Sequence, residues 1–215
     1  MRFVKTNDGS VTAYNEEHHD HYHSLSGAME EAFEKHVHPL GLRDGMHILD
    51  FCFGLGYNSI AACSEASNLR ITGLEIDEEI VAAIARMPVP PQLDAAYAPF
   101  RHLATTRSAT DTKNNRITLL LGDARKTVLH LPPLSFDRVY FDAFAPQKQP
   151  ELWTVEVFAA VWNTMKPGGL LSTYSCAKWV RANMEAVGFE VRDGPRIGRR
   201  SPATIAEKGV QEITE

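Results

Sequence analysis

The chain has 215 residues, 44% hydrophobic and 23% charged, with a formal net charge of −5; that is ordinary for one soluble globular domain with a sizeable core. No apolar run approaches the ~20 residues of a membrane span, and the start, MRFVKTNDGS, lacks the apolar core of a signal peptide. The cysteines Cys52, Cys63 and Cys176 have no metal-like spacing, so a reduced, cytoplasmic protein is expected, and the charge does not mark a general nucleic-acid binder, although a local basic face would suffice.

Residues 1–14 predict a hairpin, because Asn7-Asp8-Gly9 separates two β-rich runs. The next stretch, NEEHHDHYHS, crowds His18, His19, His21 and His23. No metal site is expected there, since no cysteine or second acid cluster converges with them. Ala28, Phe33 and Val37 then make an apolar stripe on a helix ended by Pro39 and Gly41. Residues 1–40 thus read as an N-terminal hairpin-and-helix extension, and 41–215 as the main domain.

In that domain a buried strand, Met46 to Phe51, runs into a loop carrying Gly54 and Gly56, and a helix follows from Asn58 to Ala66. Leu69 to Glu75 is the second strand, and Glu78 to Met87 a second helix stopped by PVPP. Residues 88–116 are broken by Pro88, Pro90, Pro91 and Pro99 but keep helical character. They are too long for a plain connection, which predicts a helical insertion near the sheet edge. ITLLLGDA (117–124) is the third strand and its turn, and SFDRVYFDAFAP (135–146) the fourth. A helix from Leu152 to Met165, a KPGG turn, a fifth strand LLSTYSC (170–176) and a helix from Ala177 to Val187 follow. FEVRDG and PATIAEK close the chain as a pair of strands. Alternating strands and helices predict a doubly wound α/β sheet, mostly parallel, with an antiparallel terminal hairpin.

Four acids fall at or just after strand carboxyl ends: Asp50, Glu75, Asp123 and Asp142. Those ends share one edge of a parallel sheet, so the four are expected to line one crevice. Gly54 and Gly56 can take φ > 0 and admit a ligand close to the backbone. Glu75 follows them at the spacing of an acid that binds ribose hydroxyls. The third glycine of a dinucleotide fingerprint is missing, with Ser59 in its place, which argues against NAD or FAD. S-adenosylmethionine, with a ribose and an amino-acid tail but no phosphate, suits the pattern better, and a class I methyltransferase fold is the working reading. Asp123 can accept from an adenine amine or cap the following helix. Asp142 opens a proline-braced loop, a position suited to a substrate-side role.

FGLGYN, LGDA, DAFAPQKQPELW, KPGGLLSTYS, WVRANMEAVGFEV and GRR resemble, in order, the methyltransferase domain of the bifunctional tRNA-modifying MnmC family. The most specific piece is D-A-F-A-P-x-K-x-P-x-x-W, from Asp142 to Trp153. The loop departs from the family's G-F-G-T-G-L-N, with Cys52 for the first glycine and Leu55 for threonine, and Asp50 stands where glutamate is usual. The resemblance implies a class I fold, S-adenosylmethionine as methyl donor without FAD or metal, and methylation of the 5-aminomethyl group of a wobble uridine in tRNA, 2-thiolated or not. It implies a stand-alone form without the FAD-dependent oxidase domain, the aminomethyl group coming from a separate enzyme. On this reading Asp50, Phe53, Gly54, Gly56, Asn58, Glu75, Asp123, Ala124 and Asp142 contact the cofactor. Asp142 orients the amine and takes or relays its proton, Phe144 walls in the uracil, and Tyr174 adds a hydroxyl. Lys148, Lys178, Arg181, Arg196, Arg199 and Arg200 offer phosphate contacts, or else form a solvated face. Two alternatives stay open: a polyamine aminopropyltransferase, although FCFGLGYN lacks the loop aspartate such an enzyme wants, and a non-catalytic binding subunit.

Overall fold

A computed structural model describes residues 2–197 and 201–210. Its first elements are β1 (Phe3–Lys5), β2 (Val11–Asn15) and β3 (Asp20–His21), which form a small antiparallel sheet. The predicted hairpin is its first half, with Phe3 opposite Ala13. The turn residue Asp8 also caps the next helix, accepting from the backbone N–H groups of Met29 (3.1 Å) and Glu30 (2.9 Å). That helix runs through Ala28–Glu31, Ala32–Val37 and His38–Leu40, and its middle stretch is wound as a π-helix. Such wide turns are uncommon and concentrate at functional sites.

The main sheet contains β4 (His47–Phe51), β5 (Arg70–Glu75), β6 (Ser108–Thr110), β7 (Arg116–Leu121), β8 (Phe136–Phe141), β9 (Met165–Thr173), β10 (Phe189–Asp193) and β11 (Thr204–Lys208). Their spatial order is β10-β11-β9-β8-β4-β5-β7-β6. The five central strands are parallel, while β6 and the β10–β11 pair join antiparallel at the two edges. Order reverses at β4, where one run goes out to β5 and β7 and the other to β8 and β9. Ligand crevices form at that switch point, outside the strand carboxyl ends.

Both faces of the sheet are covered, so its strands are apolar on both sides. Ile48, Ile71, Tyr140 and Ile205 point into one core, with the helices Tyr57–Glu65 and Glu78–Ile84. Leu49, Phe51, Leu74, Val139 and Phe141 point into the other, against Val155–Thr164 and Lys178–Val187. The alternation follows the two-residue period of a strand. Val11, Ala13, Ala28 and Val37 share the first core, so the N-terminal segment is packed into the sheet's own interior.

Two elements differ from expectation. KPGG is not a turn: Met165–Thr173 is one strand, with a register shift against β8 between Phe136 and Arg138. Gly168, at φ +74°, supplies the kink that lets the strand continue. Residues 88–116 hold the helices Pro91–Tyr97 and Leu103–Thr106 near the sheet edge, but also the short strand β6, which covers β7. Asp123, after β7, caps the short helix Ala124–Thr127, one of its two expected roles.

Candidate active site

At the carboxyl edge the loops enclose a cavity of about 970 Å³, at the upper end of the ~300–1,000 Å³ typical of ligand sites. Gly54 after β4, Glu75 at the end of β5, Asp123 after β7, Asp142 after β8 and Tyr174 after β9 all line it. The turn after β4 is tight: Cys52, Gly54 and Gly56 have φ of +67°, +55° and +80°. Cys52 keeps a left-handed conformation at a cost of about 1–2 kcal/mol. Room for the turn comes from Gly73 on β5, where an added Cβ would lie 2.5 Å from the Phe53 ring.

Glu75 is clasped by backbone. Its Oε2 accepts from the Gly54 N–H (2.8 Å), and its Oε1 from those of Ile76 (2.8 Å) and Asp77 (2.9 Å). Burial raises its pKa, and these three donors oppose the rise by stabilising the carboxylate. The side chain is thereby fixed at the wall with lone pairs left for a ligand's hydroxyls. Asp123 caps Ala124–Thr127 and is forked by Arg125, whose Nη2 donates to Oδ2 at 2.7 Å and whose hydrogen bonds hold the carboxyl below its usual range.

Asp142 sits among partners of another kind. Asn58 Nδ2 donates to Oδ2 (3.0 Å), and the buried His36 brings Nε2 to 3.7 Å from Oδ1. Burial pushes this carboxyl up, but His36, His23 and Asn58 together outweigh it and hold it at about 2. It is an anion at any physiological pH. Asp50 is the opposite case: fully buried, it accepts from Ser59 Oγ at 2.6 Å, and burial raises its pKa to about 8.

The N-terminal segment forms the opposite wall. Tyr22 donates to Asp77 Oδ2 at 2.6 Å, just past Glu75. His18 and Tyr22 pack on the Phe144 ring at 4.6 and 5.0 Å between centroids. Lys148 donates to the His19 carbonyl (2.7 Å) and pairs with Asp20 (3.0 Å), tying the loop after β8 to this segment.

The family model described as S-adenosyl-L-methionine-dependent methyltransferase matches residues 92–209, more than half of the chain. The chain belongs to that family. This methyltransferase is 30% identical over 210 residues to an uncharacterised protein of Methanocaldococcus jannaschii, the match covering 95% of this chain and 59% of the other. It is 28% identical to the tRNA 5-methylaminomethyl-2-thiouridine biosynthesis bifunctional protein MnmC of Ralstonia nicotianae, covering 91% of this chain and 33% of that one. It therefore spans from a third to three fifths of the length of these two relatives. Among solved structures, MnmC2 from Aquifex aeolicus superposes with a TM-score of 0.78 at 28% identity, over 95% of this chain and 69% of the other. The sheet order, with its antiparallel terminal pair, is the class I methyltransferase arrangement expected from the sequence.

The methyltransferase brings some of the expected cofactor residues together and not others. Gly54, Glu75, Asp123, Ala124 and Asp142 line the cavity. Asp50 does not: it lies beneath the loop, bonded to Ser59, so three of the four strand-end acids face the crevice. Phe53 is a core residue stacked with Phe100, Gly56 packs over the Phe53 ring, and Asn58 holds Asp142. Phe144 and Tyr174 line the cavity, and the Tyr174 hydroxyl donates to the Ala143 carbonyl (3.0 Å).

The expected phosphate contacts are dispersed. Lys178 is exposed. Arg181 is engaged by Thr204, Asp193 and the Ala203 carbonyl, a strut between Lys178–Val187 and the β10–β11 pair. Arg196 pairs with Asp193 at 3.7 Å, Lys148 is spent on the N-terminal segment, and Arg199 and Arg200 lie outside the described residues. The histidine-rich stretch is used piecemeal: His18 on Phe144, His21 edge-on to Tyr14, His23 against Tyr57. Sequence reasoning missed His36, His23 and Tyr22, whose roles arise from contacts across the chain. The available signal was the helix carrying His36, whose apolar stripe leaves no reason for a buried imidazole.

Proposed function

We propose that this methyltransferase N-methylates the 5-aminomethyl group of a tRNA wobble uridine. The single observation that carries the reading is Asp142, a largely buried carboxylate kept anionic by its neighbours, at the wall of a cavity large enough for a methyl donor and a nucleobase. Such a group recognises a cation, and an aminomethyl group arrives as an ammonium. The likeness to MnmC and MnmC2 supports the choice of nucleoside.

The residues present fit S-adenosylmethionine. Glu75 and the Gly54 turn would hold its ribose, and Asp123 and Ala124 its adenine. When bound, the cofactor supplies an electrophilic methyl group. Asp142 orients the substrate nitrogen, with Asn58 and His36 fixing the carboxylate, and such positioning accounts for much of the acceleration. A carboxyl held at about 2 cannot keep the amine's proton near neutral pH, so Asp142 passes it on. Phe144, braced by His18 and Tyr22, walls in the uracil. The phosphate backbone meets Lys178 and the Arg196–Arg200 stretch. The reading implies a cytoplasmic enzyme whose substrate amine is made by a separate enzyme. Mass spectrometry of tRNA nucleosides from a strain lacking the gene tests it: 5-aminomethyl-uridine or its 2-thio form should accumulate at the wobble position. Unchanged wobble nucleosides would refute it.

A further inference from the structure

Methylating an ammonium requires that one proton leave first, because the cation has no lone pair. An alkylammonium holds that proton to about pH 10, and an imidazole is the side chain that titrates near neutrality. His36 lies in the π-wound stretch and is fully buried. Its Nδ1 is 2.9 Å from Ser172 Oγ on β9, and its Nε2 is 3.7 Å from Asp142 Oδ1. Among the described residues, Nε2 has no hydrogen-bond partner. A residue kept for packing alone gains nothing from a buried ring nitrogen left without a hydrogen bond.

We propose that His36, acting through Asp142, is the resting place of the proton given up by the substrate amine, with Ser172 fixing the ring for that role. The proposal rests on the amine-methylating reading above. The serine hydroxyl can accept from Nδ1–H, and in the free protein Nε2–H faces the carboxylate; an ammonium bound to Asp142 takes over that charge, so the ring sheds its proton to solvent and Nε2 is open to accept. One N–H bond of the ammonium breaks, its proton crosses the Asp142 carboxylate, and an Nε2–H bond forms. The freed lone pair on the substrate nitrogen takes the methyl group, and the product leaves as a methylated ammonium. The imidazolium beside the Asp142 anion is the pair from which the next turnover starts.

The surroundings favour this route. Asp142 and Tyr140 face the ring from β8 and its end, the Tyr140 ring edge-on at 5.8 Å. His23 approaches from the N-terminal segment. From His36's own helix come Glu31 and Lys35, which pair with each other. His23 also has an unpartnered Nδ1 among the described residues, but burial drives it toward the neutral form, which makes it the weaker acceptor.

The test is single-turnover methyl transfer to tRNA carrying 5-aminomethyl-uridine, from neutral to about pH 9.5, for wild type, His36→Gln and Ser172→Ala. His36→Gln should be about tenfold slower or more at neutral pH, with the deficit closing as pH rises and the amine arrives neutral. S-adenosylmethionine affinity should stay within about twofold, since the ring lies away from the ribose acid. Ser172→Ala should show a smaller loss of the same shape, and it decides the matter if His36→Gln does not fold. A deficit that is flat across pH, or no deficit, overturns the proposal. If the wild type moves no methyl group to this RNA, the substrate reading is what has failed. The relay is then read in the cofactor-bound protein from the nitrogen-15 shifts of the His36 ring at neutral pH. Asp142→Asn should move Nε2 more than Nδ1, and an unmoved Nε2 overturns the coupling.

Discussion

At the scale of single residues, the four strand-end acids sit in sharply different settings, three lining the cavity and Asp50 lying beneath the loop. Glu75 is bound by three backbone N–H groups, Asp123 by Arg125, Asp142 by imidazoles and an amide, and Asp50 by one hydroxyl. Glu75→Ala should weaken S-adenosylmethionine binding by about ten- to a hundredfold, the worth of ~1.5–3 kcal/mol for a charged hydrogen bond. Calorimetric titration of the folded variant measures this, and unchanged affinity would take Glu75 out of the cofactor site. Glu75, Asp123 and Asp142 were legible in the sequence because a strand's end fixes where its last side chain goes. Asp50 was misplaced for the same reason inverted. It lies within β4, four residues ahead of Gly54, and the left-handed Cys52 turn carries the chain past it. His36 and His23 were not tied to the site, since no local pattern says that a helix and an N-terminal loop will meet Asp142.

At the scale of elements, hydrophobic period and turn chemistry located most strands and helices to within a few residues. They failed where a longer-range contact overrules a local signal. KPGG reads as a turn, yet it forms the bulge between Met165, opposite Phe136 on β8, and Leu170, paired with both β8 and β11, so the strand continues through it. Ser108–Thr110 carries no strand signal of its own and exists because β7 offers it an open edge. The N-terminal segment is the clearest case. Its histidines suggested crowding without purpose; in the fold His18, His21 and His23, with Tyr22, line the cavity, and His18 and Tyr22 pack on Phe144. Lys148, within the most specific motif in the sequence, pairs with that segment.

For the molecule as a whole, burying Asp50 links stability to pH. Its carboxyl has a folded pKa of about 8 against an ordinary value of 3.8. Between those values the folded protein holds a proton that the unfolded chain releases, so this group makes stability fall as pH rises, with the loss levelling off above about 8. Asp50→Asn, which keeps an acceptor for Ser59, should flatten that decline. Denaturant titrations across the range measure it, and an unchanged slope would mean the proton is held elsewhere.

The central claim is that this fold delivers a methyl group to a primary amine on a uridine. Its most direct test is to incubate the purified protein with S-adenosylmethionine and tRNA bearing 5-aminomethyl-uridine, then weigh the wobble nucleoside by mass spectrometry. The account predicts a product one methyl group heavier, with the methyl on the exocyclic nitrogen, and a rate about a hundredfold lower for Asp142→Asn at unchanged cofactor affinity. No gain in mass, a methyl group on another atom, or an Asp142→Asn variant as fast as wild type would contradict it.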